Sequence, residues 1–114
     1  MSSKYDKGGT LMLAPTIYGW KNKRGTSNRE TCNCGSWKNH WLNYSGSSYW
    51  PTYCSVYGCY DHATDGGHVI NDYYNGEWII PLCKTHNNPN NTATFTIKNG
   101  TYIASANRGN TCGY

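Results

Sequence analysis

Apolar positions recur with a helical period at one place in the chain. In Gly35-Ser36-Trp37-Lys38-Asn39-His40-Trp41-Leu42-Asn43-Tyr44, the residues Trp37, Trp41 and Tyr44 follow one another at intervals of four and three. That spacing sets them along one side of a helix. Ser36 stands just ahead of the run, and its hydroxyl is the acceptor that a helix start needs, so it is the expected cap. The rest of the chain reads as short β segments between turn residues. Residues 10–20 mix Thr, Leu, Ile, Tyr and Trp around Pro15, the pattern of one or two short edge strands. Further strands are expected at 69–70, 77–82, 93–97 and 101–104. Asn75-Gly76 and Asn99-Gly100 have the composition of tight hairpin turns between them. Gly66-Gly67 reads as a turn, the basic stretch 21–30 as a loop, and Asn87-Asn88-Pro89-Asn90-Asn91 as a helix breaker. The expected fold is small mixed α+β, mainly short antiparallel hairpins with one short helix.

Composition changes this picture in one respect. The chain has room for one domain, read as residues 10–114 behind a flexible tail over 1–9. Its core, however, lacks aliphatics: a single Phe stands beside five Trp and eleven Tyr, and Leu, Ile and Val are sparse. A thin core calls for disulfides, a metal or a partner subunit. Leu11-Met12-Leu13-Ala14 is broken by Pro15 and lacks a cleavage site, so it does not read as a signal peptide. No stretch approaches a membrane span. A cytoplasmic protein, or one carried in a virion, is expected, and in such a setting six cysteines point to metal ligands before disulfides.

The cysteine spacing supports that reading. Cys54-x4-Cys59 is followed, across a hairpin, by Cys83-x2-His86. Zinc takes four sulfur or imidazole donors in a tetrahedron, and two tight turns supply two each. Gly58 lies where the first turn needs backbone freedom. The alternative is a Cys54–Cys59 disulfide. Cys32, Cys34 and Cys112 remain, and with His40 (or else His62) they would make a second zinc site; a disulfide from Cys112 to Cys32 or Cys34 is the competing arrangement. No phosphate-cradling glycine loop and no nucleophile elbow is present, and the thiols read as metal ligands rather than nucleophiles.

Taken together, Cys32-x-Cys34-Gly35-Ser36-Trp37, His40-Trp41, Pro51-x-Tyr53-Cys54, Gly66-Gly67-His68-Val69, Ile80-Pro81-Leu82-Cys83-x2-His86-Asn87, Ser105-Ala106-Asn107 and Thr111-Cys112-Gly113 resemble a family of short, uncharacterised bacterial and phage zinc-binding proteins. Gly67-His68-Val69, a hairpin and then Cys83-x2-His86 also resemble, more distantly, HNH-type nucleases built on a treble-clef zinc site. That second resemblance implies His68 as general base and a divalent cation at the scissile phosphate. It departs from the pattern at Gly67, where a cation ligand is usual, and at Pro89, which cuts the following helix short.

The function expected from these features is a zinc-stabilised, non-catalytic binding or assembly module. Its partner would be a protein or a second copy, met through surplus Tyr and Trp. The alternatives are the HNH-like nuclease using His68 and a nucleic-acid-binding zinc module. A net charge of +4 is too mild to argue for nucleic acid by itself.

Overall fold

The computed structural model describes residues 12–23, 31 and 33–112. The expected tail over 1–9, most of the basic stretch and Cys32 lie outside the described residues. Among the described residues four strands form one antiparallel sheet in chain order: β1 (Trp20–Asn22), β2 (Asp65–Asn71), β3 (Trp78–Leu82) and β4 (Ala104–Ser105). The helix α1 (Trp37–Tyr44) packs against β2, β3 and β4, and a 3-10 turn spans Arg108–Asn110. No described helix is long and apolar enough to cross a membrane.

The strand β3 explains why the described residues pack into two small cores. Successive side chains of a strand point to opposite faces. Ile80 and Leu82 therefore enter one core with Trp20, Val56, Val69, Ile97 and Ile103, together with Cys54 and Cys83. Ile79 enters the other, under α1, with Trp41, Tyr44 and Ala104. A strand covered on both faces reads as a continuous apolar run, as Trp78-Ile79-Ile80-Pro81-Leu82 does. Indoles stand in for the missing aliphatics, and three of them bond backbone carbonyls through their N–H groups. Trp20 Nε1 donates to the Thr16 carbonyl at 2.9 Å, Trp41 to Tyr102 at 2.9 Å and Trp50 to Ala63 at 2.7 Å.

α1 forms as its pattern predicts. Trp41 and Tyr44 are buried along its inner side, and the Ser36 hydroxyl accepts from the Asn39 N–H at 3.0 Å. Ser36→Ala should lower stability by about 1 kcal/mol. A urea melt checks this, read as a lower midpoint at unchanged slope.

Several expected elements differ. Lys21 and Asn22 belong to β1 rather than to a loop, because the Asn22 side chain is buried and its amide has backbone carbonyls to bond. The 69–82 reversal starts at Asn71, not at Asn75-Gly76. Asn71 Oδ1 accepts from Tyr73 N–H at 2.8 Å and its Nδ2 donates to the Tyr18 carbonyl at 2.8 Å, which turns the chain early and leaves Asn75-Gly76 in a wider loop. Asn99-Gly100 does form a tight turn, closed by Thr101 N–H to the Lys98 carbonyl at 3.3 Å. Its two arms nevertheless do not pair with each other. The segment 12–20 runs between them, bonding Phe95 and Ile97 from one part and Thr101 and Ile103 from another. Residues 93–97 thus make isolated bridges instead of a strand.

Gly66-Gly67 is not a turn but the start of β2. A Cβ on Gly66 would lie 2.5 Å from the Trp37 carbonyl carbon, 2.6 Å from its oxygen and 2.7 Å from Lys38 N. One on Gly67 would collide with Leu82 and Asn87. The missing side chains let the start of α1 and the turn after β3 press directly onto the strand.

Candidate metal centre

Two short pieces of backbone present the four donors. The first is a narrow hairpin in which Cys54 N–H bonds the Asp61 carbonyl at 2.8 Å and Ala63 N–H bonds Thr52 at 2.9 Å. Its tip is closed by Cys59 N–H to the Val56 carbonyl at 3.0 Å, and Gly58 sits there at φ +80° with open space around it. This is the left-handed turn that brings Cys54 and Cys59 to one point. The second piece begins where β3 ends. Cys83 follows Leu82 directly, and Asn87 N–H reaches back to the Cys83 carbonyl at 2.9 Å, closing one helical turn that carries His86 inward. Pro89 lies just beyond, and no α-helix follows it among the described residues.

The turn is tied to the sheet by a residue that local sequence patterns gave no reason to single out. Asn22 Nδ2 donates to the carbonyls of His86 at 2.6 Å and Asn91 at 3.2 Å. Its importance comes from contacts sixty-odd positions away, which no periodicity records.

Cys54, Cys59, Cys83 and His86 place one donor atom each within 4.8 Å of all the others. Cys54 Sγ and Cys83 Sγ are 3.5 Å and 3.2 Å from His86 Nδ1, and Cys59 Sγ is 3.9 Å from Cys83 Sγ. Zinc–sulfur and zinc–nitrogen bonds of about 2.3 Å and 2.0 Å imply tetrahedral edges of about 3.8 Å and 3.5 Å. The observed edges fit these values, so the cluster can hold one metal ion such as zinc. All three cysteines are free thiols, which removes the Cys54–Cys59 disulfide. Burial, with neighbouring Cys83 adding to it, pushes the Cys54 thiol up to about 12. A divalent cation reverses that balance, because it stabilises the thiolates that burial disfavours. Lys98 adds positive charge at the rim, its Nζ donating to the carbonyls of Cys54 at 2.7 Å and Cys59 at 2.6 Å.

The second expected set of ligands does not gather in the same way. Among the described residues the Cys54/Cys59/Cys83/His86 group is the one cluster of metal donors. Cys112 is disulfide-bonded, and a disulfide sulfur is not the thiolate that zinc takes. Cys34 is a free thiol 3.7 Å from His40 Nδ1, while the other ring nitrogen of His40 bonds the Ser105 carbonyl at 2.8 Å. The described part of the set therefore follows the disulfide arrangement, and Cys32 lies outside the described residues. His62 is exposed and bridges Tyr53.

His68 lies on β2, 5% exposed, with its ring edge-on to Trp37 at 4.3 Å. It borders a cleft of about 370 Å³ that Lys23, Trp37, Asp65 and Asn87 also line. Asp65 is already engaged there, by Lys84 Nζ at 2.9 Å and by the Asn87 amide at 3.1 Å. Among the aromatic residues Trp20, Trp41 and Tyr44 are buried, while Tyr18, Tyr49, Tyr53, Tyr57, Tyr60, Tyr73 and Tyr74 are exposed.

Comparison of the chain with models of protein families, with curated proteins and with solved structures gives no match.

Proposed function

We propose that this chain is a small structural zinc protein that serves as a non-catalytic binding or assembly module. The observation that carries the reading is the closed donor set built into the main core. Four protein donors fill a tetrahedron and leave no position for a substrate or a reactive water, which is the character of structural rather than catalytic zinc. Cys54 and Cys83 are themselves members of that core, so the ion would substitute for apolar packing that the sequence does not supply.

The partner-facing surface is assigned to the exposed tyrosines around the first ligand hairpin. Tyr49, Tyr57 and Tyr60 are 83%, 72% and 73% exposed. Large rings held this far into solvent suit a protein interface, where they bring contact area at low entropic cost. Sparse charge and a high content of Asn, Gly and Tyr suit a packed component of a virion or other multi-subunit assembly.

Native mass spectrometry of the reduced protein tests both halves. It should report one zinc per chain, together with concentration-dependent oligomers or a retained protein partner. A zinc-free folded chain would overturn the zinc half, and a strict monomer without a partner would overturn the assembly half.

The cleft beside His68 supports a second reading, the HNH-like nuclease. Plasmid cleavage with magnesium, manganese or nickel, lost in His68→Ala at unchanged zinc content, would establish it. Silence in all three metals would end it. The burial of His68 and the engagement of Asp65 favour the first reading. Binding to DNA or RNA that weakens steeply with salt would instead point to the nucleic-acid module.

A further inference from the structure

Cys34 stands apart from the metal cluster as a free, partly exposed thiol, and its surroundings are those of a nucleophile. His40, wholly buried on α1, presents Nδ1 to Cys34 Sγ at 3.7 Å. Its Nε2 is 2.8 Å from the Ser105 carbonyl. A carbonyl only accepts, so the ring proton resides on Nε2 and the Nδ1 lone pair faces the thiol. Trp37 and Tyr44 flank the ring at 4.9 Å and 5.0 Å and hold its plane. The Asn43 amide donates to Cys34 Sγ at 3.4 Å, an interaction that strengthens as charge develops on sulfur. Burial lowers the pKa of His40, so the resting ring is neutral and carries its lone pair on Nδ1. Thiol, base and a third group that orients the base are the parts of an activated nucleophile.

We propose that Cys34 is a reactive thiol with His40 as its general base, and that it undergoes exchange with low-mass disulfides. His40 Nδ1 takes the thiol proton as Cys34 Sγ attacks one sulfur of the disulfide R–S–S–R. The Cys34–sulfur bond forms, the reagent's S–S bond breaks, and the second sulfur departs as a thiolate with the electron pair. The imidazolium then returns the proton to that thiolate, leaving RSH and a mixed disulfide on Cys34. Cys34 is oxidised and the departing sulfur is reduced, so no further oxidant enters.

The probe is dithiobis(nitrobenzoate), added to the zinc-loaded full chain without reductant, with release of thionitrobenzoate followed and the labelled residue mapped by mass spectrometry. One fast-reacting thiol per chain is expected, at Cys34, faster than the same thiol in the urea-unfolded chain. The fast phase should vanish in Cys34→Ser. In His40→Asn it should slow on the order of tenfold or more, the scale of a lost base. Asn43→Ala, at a half-buried position of the helix, is expected to slow it several-fold and serves if His40→Asn fails to fold. A folded-state rate below the unfolded one, or no effect of Asn43→Ala together with none of His40→Asn, would overturn the proposal. So would a second bound zinc that protects Cys34.

Discussion

Cys83→Ser should abolish the cooperative thermal transition of this chain, and removing metal from the unaltered protein should do the same. Cys83 is 3% exposed, follows the fully buried Leu82, and belongs to the same core as Trp20, Ile80 and Ile97. A serine there leaves three donors around the site and buries a hydroxyl among apolar side chains. The scale of the loss follows from two general magnitudes. Structural zinc binds zinc-finger peptides with about 10–16 kcal/mol near neutral pH. A whole domain is stable by only about 5–15 kcal/mol. A chain with so few aliphatic residues has little else to offset the ordering of its backbone. Circular-dichroism melts with parallel zinc analysis check the result, and a sharp transition in the metal-free protein would refute it. Acid works in the same direction. Zinc must displace protons from the thiols, Cys54 above all, which burial holds up to about 12. Apparent affinity therefore falls as pH falls, roughly tenfold per unit for each proton displaced.

Gly66→Ala should be the most damaging single methyl in the sheet, costing about 3 kcal/mol. The new carbon would fall 2.5–2.7 Å from the backbone of Trp37 and Lys38. Backbone at the capped start of a helix cannot step aside as a flexible side chain would, so α1 must lift off β2. That separation would loosen Trp41 and Tyr44 from Ile79 and Ala104, the second core. A fall in Tm of more than about 10 °C is expected for a domain of this size. Gly100→Ala provides the contrast: Gly100 has φ +88° and nothing within 4 Å of an added carbon. That substitution meets only the left-handed backbone penalty, about 1–2 kcal/mol. Equal effects of the two substitutions would show that close approach at Gly66 is not what fixes the helix.

Local chemistry is readable in the residues themselves. The helix over 37–44 and its Ser36 cap follow from spacing and from one hydroxyl, both contained within about two turns of chain. The Cys54/Cys59/Cys83/His86 set could be chosen because donor identity and tight spacing restrict which residues can meet one ion. The turn at Asn99-Gly100 was legible for the same reason, since a left-handed glycine serves the turn whatever its arms do afterwards.

Partnership over distance was not legible. The segment 12–20 slips between the two arms of the Asn99-Gly100 turn, and Asn71 reverses the chain ahead of Asn75-Gly76, because hydrogen bonds to remote backbone outcompete the local signal. Gly66-Gly67 looks like a turn in sequence and proves to be a site of close contact, a distinction that depends on where α1 lands. Asn22 and the Cys34–His40 pair acquire their roles only when residues far along the chain supply carbonyl oxygens to hold them. Residue type and short spacing thus decide the chemistry each segment can offer. Packing of distant segments decides which of those offers are used, since hydrogen bonds and excluded volume act through space without regard to position in the chain.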